Sequence, residues 1–177
     1  MFRTSWVFSA LYLAVSGVSF AEEKKANSHT RIDVHPDCVV VDTNLLTNCG
    51  FESGSFDGWV RSGNPTNTMI VGGKNAHSGS FAASFGPPTL GFIAQTVPTT
   101  PGANYQLSFW LKATGQPNRM QIFWDTYLVA DLNDVGDIVY TQFTYQLPTV
   151  QTMTEIKLGF SNVLGAFLID DVVLELN

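Results

Sequence analysis

The chain is short of charge, of histidine and of cysteine, and each shortage excludes something. Charged residues make up 14% of its 177 residues, and only nine are Lys or Arg. Those nine form no cluster, which argues against nucleic acid or an anionic membrane as partner, since both need a positive field. Of three histidines, His29 and His35 stand in a polar stretch with no second pair of metal ligands near them. His77 sits beside Ser78, where a turn is expected. The sequence has no Gly-x-Ser-x-Gly elbow, no His-Glu-x-x-His, no Gly-rich phosphate loop with Lys and no Glu-x-Asp glycosidase pair. Asp131 to Gly136 opens like a calcium loop, but Val135 takes a ligand position and Gln142 replaces the closing Glu, so it reads as a turn. The chain therefore reads as a protein that is not an enzyme.

A long apolar run occurs once, at the start. Residues 1–21 carry one charge, Arg3, and an apolar stretch from Trp6 to Val18, with Ser19 and Ala21 at the −3 and −1 positions. This predicts a signal peptide cleaved after Ala21 and a secreted protein, extracellular or periplasmic. The run is too short to span a bilayer and no second one follows, so membrane insertion is not expected. Losing Arg3 leaves eight bases against fifteen acids, a net charge of −7 on 156 residues. Residues 22–37 have almost no apolar content and read as a disordered tether. Cys38 and Cys49, the only cysteines, lie where disulfides persist. A bridge between them would close a short loop worth about 3 kcal/mol. Thiol chemistry is the rival, but no base stands nearby to activate either sulfur.

What is abundant is Phe, Gly, Ser and Thr, a balance that suits β-structure. From Thr68 onward, strand-like runs alternate with turn residues at the spacing of an all-β sandwich over residues 38–177. The runs are Thr68–Val71, Phe81–Phe85, Phe92–Val97, Tyr105–Leu111, Met120–Trp124, Tyr127–Leu132, Tyr140–Leu147, Glu155–Phe160 and Ala166–Leu176. No segment sustains a 3.6-residue period. Strand alternation sends Tyr105, Leu107, Phe109 and Leu111 to the core and Gln106, Ser108, Trp110 and Lys112 outward. It likewise buries Met120, Ile122 and Trp124 against outward Gln121 and Phe123, and Phe143, Tyr145 and Leu147 against outward Gln142 and Thr144.

The stretch Asn44-Leu-Leu-Thr-Asn-Cys-Gly-Phe-Glu-Ser-Gly-Ser-Phe-Asp-Gly-Trp59 reads as a short strand entering a tight loop. It resembles the opening signature of the carbohydrate-binding-module-like jelly rolls with the galactose-binding-domain fold, with Cys49 where that pattern usually has Gly. Further blocks follow in the same order. They are Ala76-His-Ser-Gly-Ser-Phe-Ala-Ala-Ser-Phe-Gly-Pro87, Gln95-Thr-Val, Pro101-Gly-Ala-Asn-Tyr-Gln-Leu-Ser-Phe-Trp-Leu-Lys112 and Phe167-Leu-Ile-Asp-Asp-Val-Val-Leu174. Together they cover nearly all of residues 44–177. Small exported bacterial proteins of this type end in a Pro-Glu-Pro sorting tail, which is not seen after Asn177. The resemblance implies a two-sheet jelly roll and a structural Ca²⁺. The calcium would be shared by Glu52, Asp170 or Asp171, and backbone carbonyls near Ser78. Strict alternation places Asp170 with Val172 and Leu174 and so favours Asp170 over Asp171.

Amide and hydroxyl side chains flanking isolated aromatic rings suit a sugar, whose ring has an apolar face and whose rim is hydroxyls. Trp110 is the candidate platform, with Gln106, Gln121, Phe123, Gln142 and Thr144 around it. The function expected is non-catalytic binding of a polysaccharide or glycan. The alternatives are a structural or protein-interaction module without a sugar site, and a hydrolase with an unrecognised acid pair.

Overall fold

The computed structural model describes residues 43–149 and 151–177. The expected signal peptide and tether, and Cys38, lie outside the described residues. Among the described residues ten strands occur: β1 Val60–Gly63, β2 Thr68–Gly72, β3 Phe81–Phe85, β4 Gly91–Pro98, β5 Asn104–Thr114, β6 Asn118–Trp124, β7 Tyr127–Asn133, β8 Ile138–Pro148, β9 Met153–Asn162 and β10 Ala166–Leu176. They form two five-stranded sheets, ordered β1-β4-β9-β6-β7 and β2-β3-β10-β5-β8. Every pairing is antiparallel. The fold is an all-β jelly-roll sandwich, and one 3₁₀ turn at Gly73–Asn75 is the helical content among the described residues.

Alternation builds the core as the sequence predicts. Tyr105, Leu107, Phe109, Leu111, Met120, Ile122, Trp124 and Leu147 are all buried. The two sheets meet through aromatic stacking: Phe85 of β3 lies parallel to Phe160 of β9 at 4.2 Å, and Phe160 touches Phe167 of β10. Such pairs add about 0.5–1.5 kcal/mol each beyond their buried area.

Two expectations about the opening stretch are corrected. Leu45 and Leu46 do not form a strand. The Asn44 side chain substitutes for a ladder there, its Oδ1 accepting from the Leu46 and Leu174 amides while its Nδ2 donates to the Val172 carbonyl. The missed strand is β1. It is an edge strand exposed at all four positions, so it carries no apolar alternation to read.

The loop after Asn44 plugs one end of the sandwich. Phe51 is fully buried and stacks on Trp59 at 5.8 Å. Asn48 ties the loop from inside, donating to the Ser55 and Asp57 carbonyls and accepting from the Ser53 amide. Asn48 and Phe51 have positive φ, whereas Cys49 does not. Position 49 therefore has no backbone need for glycine, and the buried Cys49 is accommodated. Asn48→Ala strands two inward carbonyls at once. It should cost about 1–3 kcal/mol for each left unpaired, read as a fall in the urea midpoint at unchanged slope.

Candidate functional site

Strand order decides which outward side chains meet. Trp110, Gln106, Gln142 and Thr144 lie on β5 and β8, on the outer face of one sheet, whereas Gln121 and Phe123 lie on β6 in the other. The six sequence candidates therefore divide between opposite sides of the sandwich and do not form one site. Alternation says nothing about which sheet a strand joins, and Gln121, expected on the outer surface, is only 6% exposed.

On the first face Trp110 is half-buried, and His77 stacks on its indole at 4.0 Å and 16°. The indole borders a shallow cavity of about 270 Å³ with Gln106, Ser108, Gln142, Asp171, Val173 and Glu175. Thr144 stands opposite Ser108 and is exposed. Gln106 is engaged by Gln146 at 3.0 Å.

The second face is built around Gly159 of β9. In register it stands between Phe92 of β4 and Gln121 of β6. A β-carbon at Gly159 would come within 2.6 Å of the Phe92 ring, so the ring lies across the glycine. A glycine inside a strand marks such a close approach. Phe123 meets Phe92 edge-on at 6.3 Å, and the Lys157 ammonium lies 5.1 Å from the Phe123 ring centre. The surrounding charges are paired. Arg119 holds Asp131 through two hydrogen bonds, the Nε–Oδ1 contact being 2.7 Å, and Lys157 lies 3.3 Å from Glu155. The Arg119 bond is the main reason the Asp131 carboxyl sits below its ordinary range. Gln121 also reaches Asp131, at 3.4 Å. The result is a two-ring apolar platform with a polar, charge-compensated rim. Phe92 carries no signal in the sequence that marks it as part of a site, because its partner Gly159 lies on a strand far away in the chain.

The acidic residues meet at the loop 76–81, and here strict alternation is overturned. A bulge between Asp170 and Val173 shifts the register of β10 on β5, with Asp171 at φ +47°. Asp170 stands opposite Trp110 and Val173 opposite Ser108, both outward positions, so Asp170 does not share a face with Val172 and Leu174. An extra residue resets the alternation and brings both acids to one loop. Asp170 accepts from the His77 and Ser78 amides at 2.8 and 3.3 Å. Asp171 accepts from Ser78 Oγ at 2.6 Å, and its other oxygen lies 2.6 Å from His77 Nδ1. Glu52 accepts from the Ser80 and Phe81 amides at 2.9 and 3.0 Å. Its carboxylate fits because residue 79 is glycine at φ +58°, where a β-carbon would lie 2.4 Å from Oε1.

These oxygens fit a calcium ion in kind. A β-carbon placed on Gly50 would be 3.7 Å from Oδ1 of both Asp170 and Asp171, so the two aspartate carboxylates share one small space, while the Glu52 carboxylate turns to the Ser80 and Phe81 amides. Ca²⁺ accepts carboxylate and carbonyl oxygens in flexible geometry. Among the described residues no three His, Cys, Asp or Glu side chains gather as a ligand set, so backbone carbonyls would have to complete the shell. Burial, and next the charge of Asp171, raises the Asp170 carboxyl to about 7. The folded chain then holds a proton that the unfolded chain releases near 3.8. In metal-free protein, stability should fall as pH rises from about 4 to 7 and level off above. Asp170→Asn should flatten that slope in pH-dependent urea unfolding.

The comparisons with known proteins bear on this geometry. Residues 43–161 match the family described as a carbohydrate binding domain, well over half of the 177. The chain belongs to this family. No curated relative matches it by sequence. Among solved structures, TmCBM61 in complex with β-1,4-galactotriose is similar at 23% identity and TM-score 0.65, covering 76% of this chain and 99% of that one. A family 16 carbohydrate binding module is similar at 22% identity and TM-score 0.56, covering 74% and 99%. The xylanase 10B module pair from Clostridium thermocellum, complexed with xylohexaose, has 14% identity and TM-score 0.53, covering 77% of this chain and 29% of that one. At these identities the likeness is one of fold.

Proposed function

We propose that the chain is an exported, non-catalytic module that binds a neutral polysaccharide on the outer face of the sheet β1-β4-β9-β6-β7. The observation that carries this reading is the Phe92 ring laid across Gly159 beside Phe123, within a family of carbohydrate-binding domains. Two rings at an angle offer the apolar faces of successive sugars a platform, with Gln121, 6% exposed, and the Arg119–Asp131 pair beside it. Because the charges there are already paired, the face favours an uncharged glycan. The Trp110 face is the weaker candidate, since His77 occupies one side of its indole and Asp171 and Glu175 border its cavity. The acids that could serve hydrolysis are engaged by backbone amides or by His77, which supports a binding role. The leader at residues 1–21 and a Cys38–Cys49 disulfide belong to the same exported reading.

Affinity electrophoresis in soluble polysaccharides tests the platform. Phe92→Ala and Phe123→Ala should each weaken binding about tenfold or more, equal to about 1.4 kcal/mol. Gly159→Ala should do the same by displacing the Phe92 ring, with little change in melting temperature. Trp110→Ala should leave binding intact. Loss of binding in Trp110→Ala alone would move the site to the other sheet.

A structural Ca²⁺ held by Glu52, Asp170, Asp171 and Ser78, the loop's backbone carbonyls completing the shell, is part of this proposal. Such an ion would offset the repulsion between neighbouring acids and stabilise the folded state by mass action. After a metal-free start is confirmed, melting with millimolar Ca²⁺ should occur several degrees above melting with excess EDTA. Superimposable curves would remove the ion from the account.

A further inference from the structure

We propose that the chain carries a second carbohydrate site, a half-open cavity at the flank of the sandwich that takes a ring of a neutral glycan. It lies where the turn between β6 and β7 meets the end of β8 and the start of β9. This inference rests on the carbohydrate reading above but concerns a different surface. Phe123 and Trp124 are consecutive on β6 and point to opposite sides. Phe123 belongs to the outer platform, and Trp124 walls the cavity.

The cavity encloses about 460 Å³, within the usual range of small-ligand sites. Its floor is formed by Trp124, Leu147 and Thr154, all buried. The walls are held in place. Trp124 Nε1 donates to the Pro148 carbonyl at 3.0 Å. A chain of buried hydroxyls runs from Thr149 to Thr154 at 3.0 Å and on to Thr99 at 2.7 Å, and Thr99 donates to the Gln151 carbonyl at 2.8 Å. A prebuilt wall of this kind lowers the cost of ordering a site on binding.

The mouth is equipped differently. Tyr127 is 70% exposed and presents a ring at the entrance. Asp125, Thr126 and Gln151 line the cavity. Within the described residues their side chains, and the Tyr127 hydroxyl, take part in none of the hydrogen bonds that hold the flank together. Asp125 keeps a left-handed backbone at φ +54°, fixed by its amide donating to the Glu155 carbonyl at 2.7 Å. An indole wall, an exposed phenol ring and unclaimed amide, hydroxyl and carboxylate groups are the complement of a pyranose. Among the described residues Asp125 is the one charged residue in the lining, so uronates and sulfated sugars are disfavoured.

Amide chemical-shift mapping by NMR separates the two surfaces, with β-1,4-galactotriose and xylohexaose as the probes in separate titrations. Saturable shifts at Asp125, Thr126, Tyr127 and Gln151 are expected with at least one probe, alongside a distinct set at Phe92, Phe123 and Gly159. Tyr127→Ala and Gln151→Ala, both at solvent-exposed positions, should weaken the flank response at least tenfold and leave the sheet response unchanged. Phe92→Ala should do the reverse. Shifts confined to the sheet face would overturn the flank site and leave the carbohydrate reading standing. Flank shifts that persist unchanged in both flank variants would overturn the assigned lining. Silence at both surfaces with both probes would overturn the flank site and the carbohydrate reading together.

Discussion

The sandwich depends on a few side-chain amides that tie one irregular segment to both sheets. Asn44 bonds backbone groups of β10, in one sheet. Three residues later Thr47 is held by Gln95 of β4, in the other, through its amide, its hydroxyl and its carbonyl. Asn48 then knits the loop that carries Phe51 and Trp59 into the core. Buried amides of this kind hold a geometry because each unmade hydrogen bond is costly away from water. The segment thereby acts as the plug that closes the sandwich where the chain enters it.

With that end closed, the two outer faces take different roles. The loop carrying His77, Ser78 and Gly79 folds over β10 because Asp170, Asp171 and Glu52 bind its backbone and side chains. It covers part of one face and places His77 on Trp110. On the opposite face the Phe92 ring lies across Gly159, and the aromatic pair there stands among charges that already cancel. Physical chemistry then favours an uncharged partner with flat apolar surfaces and many hydroxyls. That agrees with membership of the carbohydrate-binding domain family.

The sandwich was legible in the sequence because alternation is a local property. In Tyr105 to Leu111 and Met120 to Trp124 the apolar positions could be assigned to the core one by one, though outward Ser108 and Gln121 are buried as well. The division of Trp110 from Phe123 was not legible, since jelly-roll crossovers place β5 and β6 in different sheets although only three residues separate them. The register of Asp170 was hidden for a related reason: one bulged residue inverts all parity beyond it, and nothing local announces the bulge in Ile169-Asp-Asp-Val172. Asp170 and Asp171 do bind the His77–Ser78 turn and Glu52 binds the Ser80 amide, contacts between distant stretches that alternation cannot derive. Phe92 and the flank cavity around Trp124 required coordinates, since each is made by strands far apart in sequence.

The most direct test of the account is a crystal structure of the chain with a bound neutral oligosaccharide. The account predicts a sugar ring packed on Phe92 and Phe123, with its hydroxyls within hydrogen-bond reach of Gln121 or of the Arg119–Asp131 pair. A sugar seated in the Trp110 groove while the Phe92–Phe123 face stays bare would contradict it.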